Sequence, residues 1–133
     1  MDYIDETECC GAPSVGVSDK VALQLARDKL HHVKMVEAQA LITICPFCHI
    51  MFDTNELRIE RMFSETYGIP VLHYPQLLGL AMGMHPNDLG LVKRHDLKGV
   101  PPFVDQEKLL TRMLKELGYD YAKLKNQMAK AQS

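Results

Sequence analysis

Apolar residues in this chain fall into short periodic blocks divided by glycine and proline, and the spacing within each block decides what it forms. Ala22, Leu25, Ala26, Leu30 and Val33 recur at helical intervals after Ser18. Ser18 is a good cap and Asp19 suits the positive end, so a first helix is predicted from Ser18. The run Ala40-Leu41-Ile42-Thr43-Ile44 is continuous, partly β-branched and stopped by Cys45-Pro46, which predicts a short buried strand. A second helix follows from about Ile50, with Phe52, Ile59, Met62, Phe63 and Tyr67 on one side and Gly68 and Pro70 as stop signals. Val71 to Tyr74 predicts a second strand, and Pro75 suits the first position of a helix carrying Leu77, Leu78, Ala81 and Met82.

This β-α-β order implies parallel pairing. Pro86, Gly90, Gly99, Pro101 and Pro102 punctuate a looped region with a helical turn near Asn87 to Val92. A last helix starts near Asp105, shows an apolar face of Leu109, Leu110, Met113, Leu114 and Leu117, and ends at Gly118. The residues before Cys9 supply at most a fragment of a strand. The fold expected is α/β, a small parallel sheet flanked by helices, with the cysteine loops gathered at one end where strands finish and helices begin. One domain is expected over residues 1–118, followed by a tail, 119–133, with weak helical spacing through Tyr121, Leu124 and Met128.

Composition narrows the function. The 133 residues carry a formal net charge of −2, with no cluster of Lys or Arg interleaved with aromatics, so no footprint for nucleic acid is expected. Lys115, Lys123, Lys125 and Lys130 stand among acids and read as a solvated helix face. No apolar run approaches the roughly 20 residues needed to span a bilayer, and no signal segment opens the chain, so the expected location is the cytoplasm, without membrane insertion. In that reducing compartment clustered cysteines point to metal or redox chemistry.

The four cysteines form an adjacent pair, Cys9-Cys10, and a Cys-x-x-Cys pair, Cys45-Pro46-Phe47-Cys48. Deprotonated, they are four soft anionic ligands, suited to zinc or iron rather than magnesium or calcium. Pro46 restricts Cys45 to an extended backbone. Adjacent cysteines in an extended chain point opposite ways, which suits a multi-iron cluster whose metals are separated, and Gly11 lets the backbone turn close to the inorganic core. An iron–sulfur cluster is therefore expected, with structural zinc as the alternative. A thioredoxin-like pair leaves Cys9 and Cys10 unexplained, and four unligated core cysteines require two close pairs without purpose. His49 is a further candidate ligand or proton carrier, and His73 reads as a core histidine or a pocket wall; His31 and His32 suit a helix end, while His85 and His95 are uninformative.

Cys9-Cys10-Gly11 followed by Cys45-Pro46-Phe47-Cys48-His49 resembles the CCG domain of the heterodisulfide reductase B-subunit. The likeness continues through Asp53, Gly68-Ile69-Pro70-Val71, Tyr74 to Ala81 and Leu89-Gly90-Leu91, over about residues 8–98. It implies a noncubane 4Fe-4S cluster on Cys9, Cys10, Cys45 and Cys48, and electron transfer to the mixed disulfide of coenzyme M and coenzyme B. Partners implied are other iron–sulfur subunits and a second CCG half. The family pattern also has an isolated upstream cysteine and a preceding CCG domain, neither with a counterpart here, so the chain looks like the C-terminal half of that family's polypeptide and is not expected to be an active oxidoreductase alone.

Overall fold

A computed structural model describes residues 2–92, 102–123 and 126. Its elements are α1 (Asp19–Met35), β1 (Leu41–Thr43), α2 (Pro46–His49), a π-helical turn (Ile50–Thr54), α3 (Glu56–Phe63), β2 (Val71–His73), α4 (Tyr74–Ala81) and α5 (Glu107–Glu116). Ser18 caps α1, its hydroxyl accepting the Val21 N–H at 3.4 Å. The strands pair in parallel, with Leu41 opposite Val71, Ile42 opposite Leu72 and Thr43 opposite His73. The fold is α/β.

The sheet parts two apolar clusters. Leu41 and Val71 pack with Leu23, Leu30 and Val33 of α1, Phe52 of the π turn and Ile59 of α3. Leu72 faces the other way, against Leu80 of α4, Leu91, and Leu109, Leu110 and Leu114 of α5. Tyr121 joins this second cluster, and 121–123 are helical. Arg27 of α1 donates to Glu65, its Nε at 2.9 Å from Oε2, and Tyr67 donates its hydroxyl to the same carboxylate. This pins the loop after α3 onto α1.

Several boundaries differ from those the spacing predicts. Helical structure begins at Pro46, not near Ile50, because proline at the first helical position has φ preset and lacks only an N–H that would be unpaired anyway. It ends at Phe63, not Gly68: Ser64 takes the left-handed conformation, φ 53°, and Tyr67 is buried from an irregular segment. In α4 the buried residues are Gly79 and Leu80, while Leu78 and Met82 are exposed, because the helix starts directly at the strand end and lays bare Gly79 against Leu89. The last helix starts at Glu107, whose N–H is taken up by Asp105 Oδ1 at 2.9 Å, and Leu117 is exposed. The turn expected near Asn87 sits over 86–90, with the Leu91 N–H bonded to the Pro86 carbonyl at 2.9 Å. His95, Gly99, Pro101, Leu124, Lys125, Met128 and Lys130 lie outside the described residues.

Three carboxylates along one helical run replace the regular structure missing from the segments around it. Glu60 Oε1 accepts the N–H groups of Tyr67 at 2.6 Å and Gly68 at 3.2 Å, and Glu56 Oε1 accepts that of Ile69 at 2.8 Å. Asp53 accepts the N–H of Phe103 at 3.1 Å and that of Val104 at 3.3 Å. The first two lead the chain into β2, and the third fixes the approach to α5. Asp53 and Glu56 are fully buried, so each hydrogen bond is made in a medium of low dielectric. Removing the Asp53 acceptor strands two N–H groups, and Asp53→Ala is expected to lower unfolding free energy by about 3 kcal/mol in urea titrations.

Burial, reinforced by the charges of Glu60 and Asp53, pushes the Glu56 carboxyl up to about 7 from an ordinary 4.5. Its Oε2 has no hydrogen-bond partner among the described residues. Below pH 4.5 Glu56 is neutral in both folded and unfolded chains; between 4.5 and about 7 only the unfolded chain ionises, so stability falls as pH rises. This loss is on the order of 3 kcal/mol and is complete above the folded value. Chemical denaturation across pH should show Glu56→Gln matching the parent in acid and exceeding it in mild alkali.

Candidate metal centre

Cys9-Cys10-Gly11 forms the link between the N-terminal segment and α1. Gly11 has φ 85°, and a Cβ placed there would lie 2.7 Å from the Ala22 carbonyl oxygen and 3.0 Å from Leu25 Cβ. Both conformation and contact therefore require glycine. Its bare side faces α1. Seated this way, the turn drives Cys10 into the core, 2% exposed, and leaves Cys9 outside. The segment ahead of it is tied down by Lys29, which donates to the carbonyls of Asp5 and Glu6, the latter at 3.2 Å, and stands 5.3 Å from the Tyr3 ring. His32 Nδ1 lies 3.1 Å from the Asp5 carboxylate.

Cys45 follows β1 in an extended conformation, φ −82° and ψ 128°, at the N-terminal end of α2, as the following proline demands. Its carbonyl accepts the His49 N–H at 3.1 Å. Cys48, within α2, faces back to the core, its Sγ 3.2 Å from Cys10 Sγ. Burial, with Cys10 beside it, pushes the Cys48 thiol up to about 12. The exposed Cys45 thiol moves the other way, because the backbone N–H groups of Cys48 and Phe47 favour its thiolate.

The two motifs thus meet through Cys10 and Cys48, with Cys45 near enough to Cys48 for their ionisations to interact. All four cysteines are free thiols, and Cys9 lies at the surface. Among the described residues no three His, Cys, Asp or Glu side chains are already gathered as a metal site. One buried and one half-buried thiol in contact, with two accessible thiols in the same motifs, are a donor set that fits a soft metal, once the outer two turn inward.

The fold brings together the two histidines singled out in the sequence, His49 and His73. His49 and His73 are in edge contact, ring centroids 6.1 Å apart, and His49 Nδ1 is buried without a partner among the described residues. Burial holds the His49 imidazole below its ordinary value. The signal was present in the parallel register, which sets His73 opposite Thr43, two residues before Cys45.

Residues 1–53 match the family model of the CCG cysteine-rich domain. The chain carries a CCG domain. Over 93 residues, 68% of this chain, it is 41% identical to the ferredoxin/F420H2-dependent CoB-CoM heterodisulfide reductase B-subunit of Methanosarcina acetivorans. It is 39% identical over 94 residues to the ferredoxin:CoB-CoM heterodisulfide reductase B-subunit of Methanosarcina mazei. Over 83 residues, 62% of this chain, it is 30% identical to the 8-methylmenaquinol:fumarate reductase membrane anchor subunit of Wolinella succinogenes. The chain spans 31% of the length of each Methanosarcina relative and 29% of the Wolinella one. No helix among the described residues is long and apolar enough to cross a membrane.

The opposed environments of Cys45 and Cys48 have a direct chemical readout. In metal-free protein near neutral pH, iodoacetamide should modify Cys45 well before Cys48, as followed by peptide mass mapping; equal rates would show that burial does not protect Cys48.

Proposed function

We propose that this CCG domain is the iron–sulfur unit of a heterodisulfide-reductase-type oxidoreductase, with Cys9, Cys10, Cys45 and Cys48 holding a noncubane 4Fe-4S cluster. The observation that carries the reading is the approach of Cys10 and Cys48 to 3.2 Å, which unites two motifs far apart in sequence inside one core. The likeness to the two Methanosarcina proteins supports the substrate class, the mixed disulfide of coenzyme B and coenzyme M. When bound, the cluster would supply one-electron transfer.

The chain's own residues prepare the ligands. Gly11 seats Cys10 against α1, and Pro46 sets the extended Cys45 at the head of the helix that carries Cys48. Cys10 is buried and Cys48 half-buried against the core, while Cys9 and Cys45 stay accessible for loading. Since Cys48 holds its proton until well above neutrality, loading must displace it, and metal uptake is favoured as pH rises. Partners in this reading are neighbouring iron–sulfur subunits and a second CCG half, in the cytoplasm.

A closed zinc site is the second reading, favoured by the number and type of donors, since four thiolates complete a tetrahedral shell. Protein purified without oxygen should contain iron with matching acid-labile sulfide and absorb visible light, and both should be lost in the Cys45→Ser, Cys48→Ser variant. About one zinc per chain without sulfide would replace the electron-transfer reading with a structural one.

A further inference from the structure

Three of the four cysteines stand in a file that runs from the surface to the core. Cys45 is exposed, Cys48 half-buried and Cys10 only 2% exposed. Cys48 is the middle member, its Sγ 3.2 Å from Cys10 Sγ and its thiol also interacting with that of Cys45. Cys9 is outside the file, at the surface, although it adjoins Cys10 in sequence. All four are free thiols, so each member of the file is available for exchange.

A disulfide holds its sulfurs about 2 Å apart, so Cys10 and Cys48 need to close by only about 1 Å to be joined. Burial keeps a dissolved oxidant from Cys10, and thiol–disulfide exchange begins at an accessible thiol. Cys45 is the accessible member of the file. A Cys45–Cys48 bond would close a single turn, whereas a Cys10–Cys48 bond closes the long loop from residue 10 to residue 48, and the longer loop gains more from a cross-link. The Cys10–Cys48 bond also lies against the apolar cluster in which Cys10 is packed.

We propose that Cys45, Cys48 and Cys10 form a thiol relay that takes oxidation from a low-molecular-weight disulfide at the surface and stores it as a Cys10–Cys48 disulfide, closing the centre to metal until a dithiol reduces it. In the first step the Cys45 thiolate attacks the oxidant, forming a mixed disulfide and releasing one small thiol. Cys48 gives up its proton and attacks the Cys45 sulfur, which expels the second small thiol and leaves a Cys45–Cys48 bond. Cys10 attacks Cys48 Sγ in the same way, and Cys45 returns as a free thiol. The balance is that two protein thiols lose two electrons and two protons, and the oxidant gains them as two thiols. Cys9 and Cys45 are then the remaining thiols, short of the four that complete a soft-metal shell. The relay depends on sulfur positions alone, so it goes beyond the proposed function and is the same for iron or zinc.

The test uses the full chain, reduced, freed of metal and incubated with oxidised glutathione in the absence of oxygen. Samples quenched over time with N-ethylmaleimide are digested without reduction and mapped by mass spectrometry. The Cys10–Cys48 linked peptide should dominate at completion, with maleimide on Cys9 and Cys45. Cys45→Ser should form the same link at least about tenfold more slowly, and Cys10→Ser should halt at the Cys45–Cys48 link. Zinc uptake, read with a chromophoric chelator, should fall at least about tenfold on oxidation and return with dithiothreitol. Iron and sulfide content, which decides the proposed function, is read separately and does not bear on the link. Should Cys10→Ser fail to fold by circular dichroism, the map of the unaltered chain and the rate in Cys45→Ser, at an exposed position, still decide. No linked product, a dominant Cys45–Cys48 link or a lasting glutathione adduct on Cys45 in the unaltered chain would each overturn the proposal. So would a Cys10–Cys48 link formed as fast in Cys45→Ser, or zinc uptake undiminished by oxidation.

Discussion

Everything at the cysteine end depends on how closely the Cys9-Cys10-Gly11 turn can approach α1. A methyl group at Gly11 would stand 2.7 Å from a backbone oxygen of Ala22, a contact that only a shift of the turn or the helix could relieve. With hydrogen there, the turn rests against Ala22 and Leu25 of α1, and Cys10 becomes part of the core. Cys48 meets it from the other side because Pro46 starts the helix at once after β1. The sulfur pair is thus a product of two backbone constraints, one needing no Cβ and the other a preset φ.

Away from that contact the domain is short of regular structure, and buried side chains supply what the backbone lacks. Asp53, Glu56 and Glu60 take up N–H groups of the segments leading into β2 and α5, and Gln76 and Gln106 finish the outer side of β2. Buried polar groups are costly without partners, so this arrangement trades ladder hydrogen bonds for side-chain ones. The cost shows at Glu56, whose second oxygen is left over and whose carboxyl is accordingly easier to protonate.

Much of this was legible in residue spacing. Ser18 and the apolar positions after it marked α1, and the run ending at Cys45 marked β1. The pattern failed where a helix departs from regularity. The π turn over Ile50–Thr54 buries Met51, Phe52 and Asp53 in succession, which a regular one-faced helix does not do. Tyr67 kept helical spacing yet lies beyond the helix, because Glu60 and Glu65 hold its N–H and hydroxyl in an irregular segment.

The sequence by itself determined the α/β class, the strand positions and the four thiols, because each rests on local periodicity, turn residues or donor chemistry. Only the tertiary structure decided that Cys10 and Cys48 are the pair in contact, that the His49 and His73 rings meet, and that Gly11 faces α1. The physical reason is common to all three. Each depends on the distance between segments far apart along the chain, and that distance is set by packing of side chains on both faces of the sheet, which no local pattern encodes.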